Sequence, residues 1–267
     1  MMTEYAADYS IPELLACFLA HDLEDGDDLN VGASSPIARA AVLLAHFTHG
    51  PNMTICLSYS KTNILNVTSV PTLLNEVDYR LARWAESYFR DEDQPQEFKK
   101  RAIDRPFFIG ALQVDKYGNS NLIGIGKDYH RLDLRGPGPI GTTGAATGDK
   151  HYYIVLNTHN KRMFVEKCDY ISSLGWGEGG VDGRKKCGIL TGGPRYVLTP
   201  LCIMDFEEQT KKMRLKSLHP GVTIDEVVQN TGFELVVPGD VPGTQPPTGE
   251  EIEILRTRID REGVLRR

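Results

Sequence analysis

The sequence has no apolar run of the roughly 20 residues that a membrane-crossing helix takes, so no membrane contact is expected. Met1 to Tyr5 carries no basic n-region and no apolar core follows it, so a signal peptide is not expected either. An excess of positive charge is also missing. Thirty Lys and Arg stand against 36 Asp and Glu, a net charge of −6, which argues against nucleic acid as the main partner. There is no Walker loop, no H-E-x-x-H and no G-x-S-x-G. The five cysteines, Cys17, Cys56, Cys168, Cys187 and Cys202, are odd in number and form no C-x-x-C pair. That pattern predicts reduced, mostly buried thiols in a cytoplasmic protein. Zinc is not expected, and the His46/His49 pair reads as a surface or capping feature near a helix end.

What is present describes an ordinary globular chain: 267 residues, 40% hydrophobic and 25% charged. Length alone allows one large domain or two small ones. The reading adopted is one α/β domain over residues 1–267. Its expected form is a mainly parallel open sheet with helices on both faces, plus a linker at 238–249 leading to a C-terminal helix.

Taken in order, Ser10-Ile11-Pro12-Glu13 is a capping box, and Leu14, Leu15, Phe18 and Leu19 make one apolar face of a helix over 11–21. Asp22 to Asp28 reads as a solvated loop. Leu29 to Ala33 is a short strand, Ser35-Pro36 opens a helix that Gly50-Pro51 ends, and Met53 to Leu57 is the next strand. This β–α–β order predicts a parallel crossover. Ligands gather at the carboxyl ends of such strands, which points to Gly32-Ala33-Ser34 and to Ser58-Tyr59-Ser60-Lys61. Further on, 151–155, 162–165, 197–202, 203–206 and 213–218 read as strands, and Gly177 to Gly193 as a glycine-rich surface loop. Thr223 caps a helix that ends at Gly232, and Thr248 caps a terminal one carrying Ile252, Leu255 and Ile259.

The most informative stretch is Phe107 to Gly141. Phe107 to Val114 is a strand-length apolar run, broken by the turn Asp115-Lys116-Tyr117-Gly118-Asn119, and Asn121 to Ile125 can pair back. Then comes Arg135-Gly136-Pro137-Gly138-Pro139-Ile140-Gly141. A loop of this kind lets bare backbone amides approach a ligand oxygen.

The strand ending in Gln113-Val114-Asp115-Lys116-Tyr117-Gly118-Asn119-Ser120-Asn121, with a glycine-rich loop some fifteen residues on, resembles the β-type subunits of family I CoA-transferases, near the glutaconate CoA-transferase branch. Lys161 to Val165, Asp169-Tyr170, Gly175-Trp176, the loop 177–193 and Asp225 to Leu235 carry the likeness on, over about residues 8 to 262. The resemblance implies a CoA-transferase β-subunit fold and an α-type partner subunit, as a heterodimer or α2β2. It also implies an acyl-CoA substrate with coenzyme A as part of it and no separate cofactor.

In the transferases of that family the strand after the first crossover ends in a glutamate nucleophile. Here it reads Thr54-Ile55-Cys56-Leu57-Ser58, and no acid occurs between Met53 and Asn75. Leucine or serine cannot form the acyl anhydride on that route. Glu76 and Glu86 are the nearest acids. The resemblance extends to steroid ring-opening CoA hydrolases, which lack the β-chain glutamate and take their acid/base glutamate from the α chain. That implies hydrolytic C–C cleavage of a cyclic CoA thioester. Two other readings stay open: a true transferase with a displaced glutamate, and a non-catalytic subunit that shapes its partner's pocket. The candidate site residues are Arg135, to hold a carboxylate or polarise a carbonyl, and Ser58, Asn119, Gly136, Gly138, Ile140 and Gly141 for substrate or oxyanion binding.

Overall fold

The computed structural model describes residues 4–31, 35–57, 60–62, 68–70, 72–73, 85–88, 106–139 and 141–267. Two compact units divide the chain: Met1–Phe108 with Gln245–Arg267, and Ile109–Thr244.

In the first unit, α1 (Ile11–Asp22) starts at the expected capping box, with the Ser10 hydroxyl accepting from the Glu13 amide and the Glu13 carboxylate accepting from the Ser10 amide. Leu14, Leu15 and Leu19 on it are fully buried, each contributing about 2 kcal/mol of apolar burial. Strand β1 (Asp28–Asn30), helix α2 (Pro36–Thr48) and strand β2 (Thr54–Leu57) follow, and β1 and β2 pair in parallel, as the crossover pattern predicts. Ser35 holds the N-cap place of α2, but its side chain makes no capping bond. Strands β3 (Ser60–Thr62) and β4 (Ala85–Tyr88) extend the sheet antiparallel in the order β1-β2-β3-β4.

Contrary to the solvated loop that the acidic run suggests, Asp27 and Asp28 are buried, and Asp27 accepts the Glu24 amide at 2.8 Å. His46 is not a surface residue either. It is buried, with Nδ1 3.0 Å from the Gly50 carbonyl, so it closes the end of α2 from inside. The C-terminal segment completes this unit. After the capping box of Thr248 and Glu251, the chain runs as helix and then a π-helical turn over Leu255–Ile259, burying Ile252, Leu255 and Ile259 as expected. Arg256 grips the buried Glu13 carboxylate with Nε at 2.8 Å and Nη2 at 2.9 Å. Burial pushes Glu13 up, but Arg256 and the Ser10 amide outweigh it and hold the carboxyl below its ordinary range.

The expected strand 107–114 is two strands. β5 (Pro106–Ile109) lies at the edge of a five-stranded sheet, and β6 (Gln113–Val114) pairs instead with β7 (Ser120–Asn121) as a hairpin. Gly110, which continues no ladder, separates them. A second ribbon joins β8 (Gly124–Ile125) to β9 (Leu134–Arg135). Helix α3 (Thr142–Gly148) precedes β10 (His151–Val155), which pairs in parallel with β11 (Pro194–Leu198). β12 (Cys202–Phe206) and β13 (Met213–Leu218) add antiparallel ladders, giving the order β13-β12-β11-β10-β5. Residues 162–165 are not a strand. The Asn160 side chain accepts from the Arg162 and Met163 amides and winds the chain into a turn, leaving a single bridge between Val114 and Phe164. Thr223 caps α5 (Ile224–Asn230), as expected. The fold is α/β with a parallel-rich central sheet: β1 pairs with β2 and β10 with β11 in parallel, and antiparallel strands extend both sheets. No helix among the described residues is long and apolar enough to cross a membrane.

Candidate functional site

The hairpin turn at 115–119 is built on one buried carboxylate. Asp115 Oδ1 accepts from the amides of Tyr117 and Asn119, and Oδ2 accepts from Asn119 Nδ2 at 2.9 Å. Asn119 also donates to the Gly177 carbonyl at 2.8 Å and accepts from the Gly175 amide at 2.9 Å. Its amide is therefore spent on protein partners. The sequence offers Asn119 as a substrate contact; the structure gives it the task of tying the hairpin to the loop at 175–177.

That loop is not a loose surface loop. Helix α4 (Gly183–Lys186) lies within it, and Arg184 is buried beneath with no carboxylate partner among the described residues. Its guanidinium donates to the carbonyls of Leu174 (2.7 Å), Gly175 (3.0 Å), Thr191 (3.2 Å) and Ala146 on α3. A planar fork with five donors suits such a set of carbonyls, and lysine could not reach them all. The arginine was not legible as structural, because Arg184-Lys185-Lys186 reads as an exposed basic run.

The glycine loop behaves differently at each glycine. The Gly136 amide donates to Ile123 O at 2.8 Å and the Gly138 amide to Leu122 O at 3.0 Å. Both amides are consumed in holding the β8–β9 ribbon, so neither is available to an oxyanion. Gly136 is needed for close approach, since a Cβ there would lie 2.2 Å from the Leu122 carbonyl oxygen. Gly141, with φ of 85°, caps α3 and is exposed, and its amide meets no acceptor among the described residues. Beside it the Thr142 hydroxyl accepts from Ser173 Oγ at 3.0 Å, which leaves its own proton to donate outward. Thr143 Oγ1 donates to the Ser172 carbonyl at 2.6 Å, so the segment 170–173 runs against the start of α3. Ser58 and Ile140 lie outside the described residues, as does Glu76. Glu86 falls on β4, with β3 between it and β2.

Arg135 is exposed on β9 and has no carboxylate partner among the described residues. Its guanidinium carbon lies 5.7 Å from the centre of the Tyr129 ring. Tyr129 in turn meets Tyr170 nearly edge-on, at 5.9 Å and 75°. The Tyr170 hydroxyl oxygen is buried and has no hydrogen-bond partner among the described residues, and burial, then Asp128 and Asp169, push its ionisation up. Within the second unit Arg135 is thus linked through Tyr129 to Tyr170, and the segment 170–173 to the start of α3. Sequence reasoning singled out the loop and Arg135 and passed over Tyr129 and Thr142, which carry no motif of their own.

A buried Cys–His pair in the same unit has the outline of a nucleophile and is none. Cys202 Sγ lies 3.9 Å from His159 Nδ1. Burial pushes the thiol up to about 12 and the imidazole down to about 4, the reverse of a thiolate–imidazolium pair. His159 Nε2 donates to Thr231 Oγ1, whose own proton goes to Val227 O at 2.8 Å. Nδ1 then accepts, with Thr199 Oγ1 2.9 Å away. The four other cysteines also form no disulfide, and of all five only Cys187 is exposed.

The family profile described as Coenzyme A transferase matches residues 13–230. The chain is 34% identical to the β subunit of 3-oxoadipate CoA-transferase of Pseudomonas knackmussii, over 93% of this chain and 92% of that one. The β subunit of glutaconate CoA-transferase of Acidaminococcus fermentans is 31% identical over 97% and 95%. The crystal structure of glutaconate coenzyme A-transferase from the same organism superposes with a TM-score of 0.82 and 28% identity, covering 99% of each chain. The cholesterol ring-cleaving hydrolase IpdB subunit of Rhodococcus jostii is 31% identical over 58% of this chain and 60% of that one. The chain belongs to the coenzyme A transferase family. It corresponds, nearly end to end, to the β subunits of that family.

Proposed function

We propose that this chain is the β-type half of a two-chain enzyme that acts on an acyl-CoA thioester, with an α-type subunit as its partner. The reaction is hydrolytic cleavage of a C–C bond in the ring of a cyclic CoA thioester. The observation that carries this reading is the carboxyl end of β2: the strand stops at Leu57, and no acid stands between Met53 and Asn75. A transferase passes its acyl group through a carboxylate, and neither the strand end nor β3 has one. Water needs no such carrier. It attacks a ring ketone, the C–C bond between the two carbonyls breaks toward an enolate, and that enolate takes a proton. The product carries a new carboxylate, and the CoA thioester stays intact. The proton transfers fall to a partner-subunit acid/base group, and the developing oxyanion needs donors. On this chain the Gly141 amide and the Thr142 hydroxyl are suited to that work.

A second reading has its own support. The two transferase subunits match this chain over more than nine-tenths of its length, the hydrolase subunit over 58%. On that reading Glu76 or Glu86 replaces the missing nucleophile and a second carboxylic acid accepts CoA. Turnover of a cyclic β-diketone CoA thioester in oxygen-18 water separates the two. One heavy oxygen in the new carboxylate, with the thioester retained, is the expected result. CoA appearing on an added second acid, with no water oxygen gained, would contradict it.

A further inference from the structure

We infer that the Tyr129–Arg135 platform takes the adenosine 3′-phosphate end of a coenzyme A thioester. The inference rests on the reading that the substrate is an acyl-CoA. A mismatch motivates it. Polarising a carbonyl works best from a dry site, where low dielectric magnifies a charge, yet Arg135 is exposed and lies on a tyrosine that is itself 49% exposed. An arginine held open to solvent, with no carboxylate partner among the described residues, fits the recognition of an anion that stays at the surface.

The surroundings say which anion. Tyr129 is fixed from the side by Tyr170 and His130, at centroid distances of 5.9 Å each and interplanar angles of 75° and 82°. A flat, braced and half-exposed aromatic ring is a stacking surface for a purine. The guanidinium beside it presents a fork that matches phosphate oxygens in pairs. From Lys127 to Arg135 there are three cations, Lys127, Arg131 and Arg135, against Asp128 and Asp133. Asp128 is occupied in accepting the His130 amide at 2.9 Å. Next to the platform, Asp169 accepts from the Gly126 amide at 2.9 Å and from Gln113 Nε2 at 3.3 Å. Asp169 is thus turned to the fold, while Asp128 and Asp133 are exposed like the cations, so the stretch keeps three cations against two carboxylates and Arg135 makes an ion pair with neither. Of the parts of an acyl-CoA, only its nucleotide end combines a purine with a dianionic phosphate, and it has no need to leave water. The chain's net charge of −6 disfavours a longer polyanion at the same place.

Calorimetry on the full chain, purified with its partner subunit, tests this with CoA, 3′-dephospho-CoA and inorganic phosphate as probes. Wild type should bind CoA about tenfold or more tightly than 3′-dephospho-CoA, the size of a charged hydrogen bond, and inorganic phosphate only weakly. Arg135→Ala should bring that ratio close to one by weakening CoA alone, and Arg135→Lys should recover part of it. Tyr129→Leu should weaken both nucleotides, by roughly tenfold as a lost stacking face does, and leave their ratio in place. A CoA preference that survives Arg135→Ala, or an equal loss for both ligands, overturns the inference while leaving the acyl-CoA reading intact. A wild-type complex that binds neither CoA nor 3′-dephospho-CoA overturns both.

Discussion

Asn119 Nδ2 lies 3.1 Å from Asp115 Oδ1 and 2.9 Å from Oδ2, so one side-chain amide faces both oxygens of a buried carboxylate. Burial raises the Asp115 carboxyl above its ordinary range even with Asn119 and the Tyr117 amide opposing the shift. Replacing Asn119 by alanine takes the side-chain donor from Asp115 Oδ2, leaving Oδ1 its two backbone amides, and also frees the Gly175 amide and the Gly177 carbonyl. The expected loss is about 3 kcal/mol, a value in line with buried groups left unsatisfied, read as a lower urea midpoint. A substrate-binding Asn119 would instead leave the midpoint in place and raise KM alone.

Arg184 makes a related prediction for the loop at 175–193. Lysine in its place keeps the charge but cannot serve the carbonyls of Ala146, Leu174, Gly175 and Thr191 together. Arg184→Lys should lower stability by about 2–4 kcal/mol. It should also make the exposed bonds after Lys185 and Lys186 the first sites of tryptic cleavage. Cleavage that begins elsewhere, at the wild-type rate, would remove Arg184 as the anchor of the loop.

The glycine loop gives a contrast between two alanines. At Gly136 a methyl group meets the Leu122 carbonyl oxygen at 2.2 Å, a backbone atom that can move only with its strand. At Gly138, with φ of 86°, nothing lies within 4 Å. Gly138→Ala should cost only the left-handed backbone penalty, about 1–2 kcal/mol. Gly136→Ala should cost more and disorder the β8–β9 ribbon, visible as lost hydrogen-exchange protection at its own amide and at that of residue 138. Equal effects at the two positions would contradict the close approach.

The acid limb of stability should report His159. Its imidazole falls from 6.5 to about 4 because it is buried, while in the unfolded chain it keeps its ordinary value. The unfolded state therefore binds the extra proton between those values, and stability is lost as pH drops from about 6.5 toward about 4. The slope nears 1.4 kcal/mol per pH unit for one such group, an order-of-magnitude figure. His219 is lowered by burial as well and adds in the same direction. Denaturation at a series of pH values should show His159→Gln with a shallower slope than wild type. An unchanged slope would place the proton uptake elsewhere.

Local signals made much of the fold legible. Ser10 with Glu13, Thr223 and Thr248 with Glu251 each capped the helix that their spacing announced. The β–α–β unit came from apolar runs separated by Ser35-Pro36 and Gly50-Pro51. What stayed hidden depended on partners far along the chain. Asn119 looked free because Gly175 and Gly177 are more than fifty residues away, and Arg184 looked exposed because its acceptors are carbonyls, which have no letter in a sequence. The loop amides of Gly136 and Gly138 were offered to a ligand because their bonds to Ile123 and Leu122 arise only when the ribbon closes.

Whether a glutamate of this chain ever carries the acyl group is decided by borohydride reduction. The assembled enzyme is mixed with its acyl-CoA, treated with borohydride, digested, and this chain's peptides are weighed. A transferase glutamyl-CoA thioester would be reduced to an alcohol and recorded as a mass change on one glutamate. With no acid at the end of β2, the chain should emerge unmodified from an enzyme at full turnover. A reduced glutamate at Glu76 or Glu86 would overturn the hydrolytic reading and establish the transferase route.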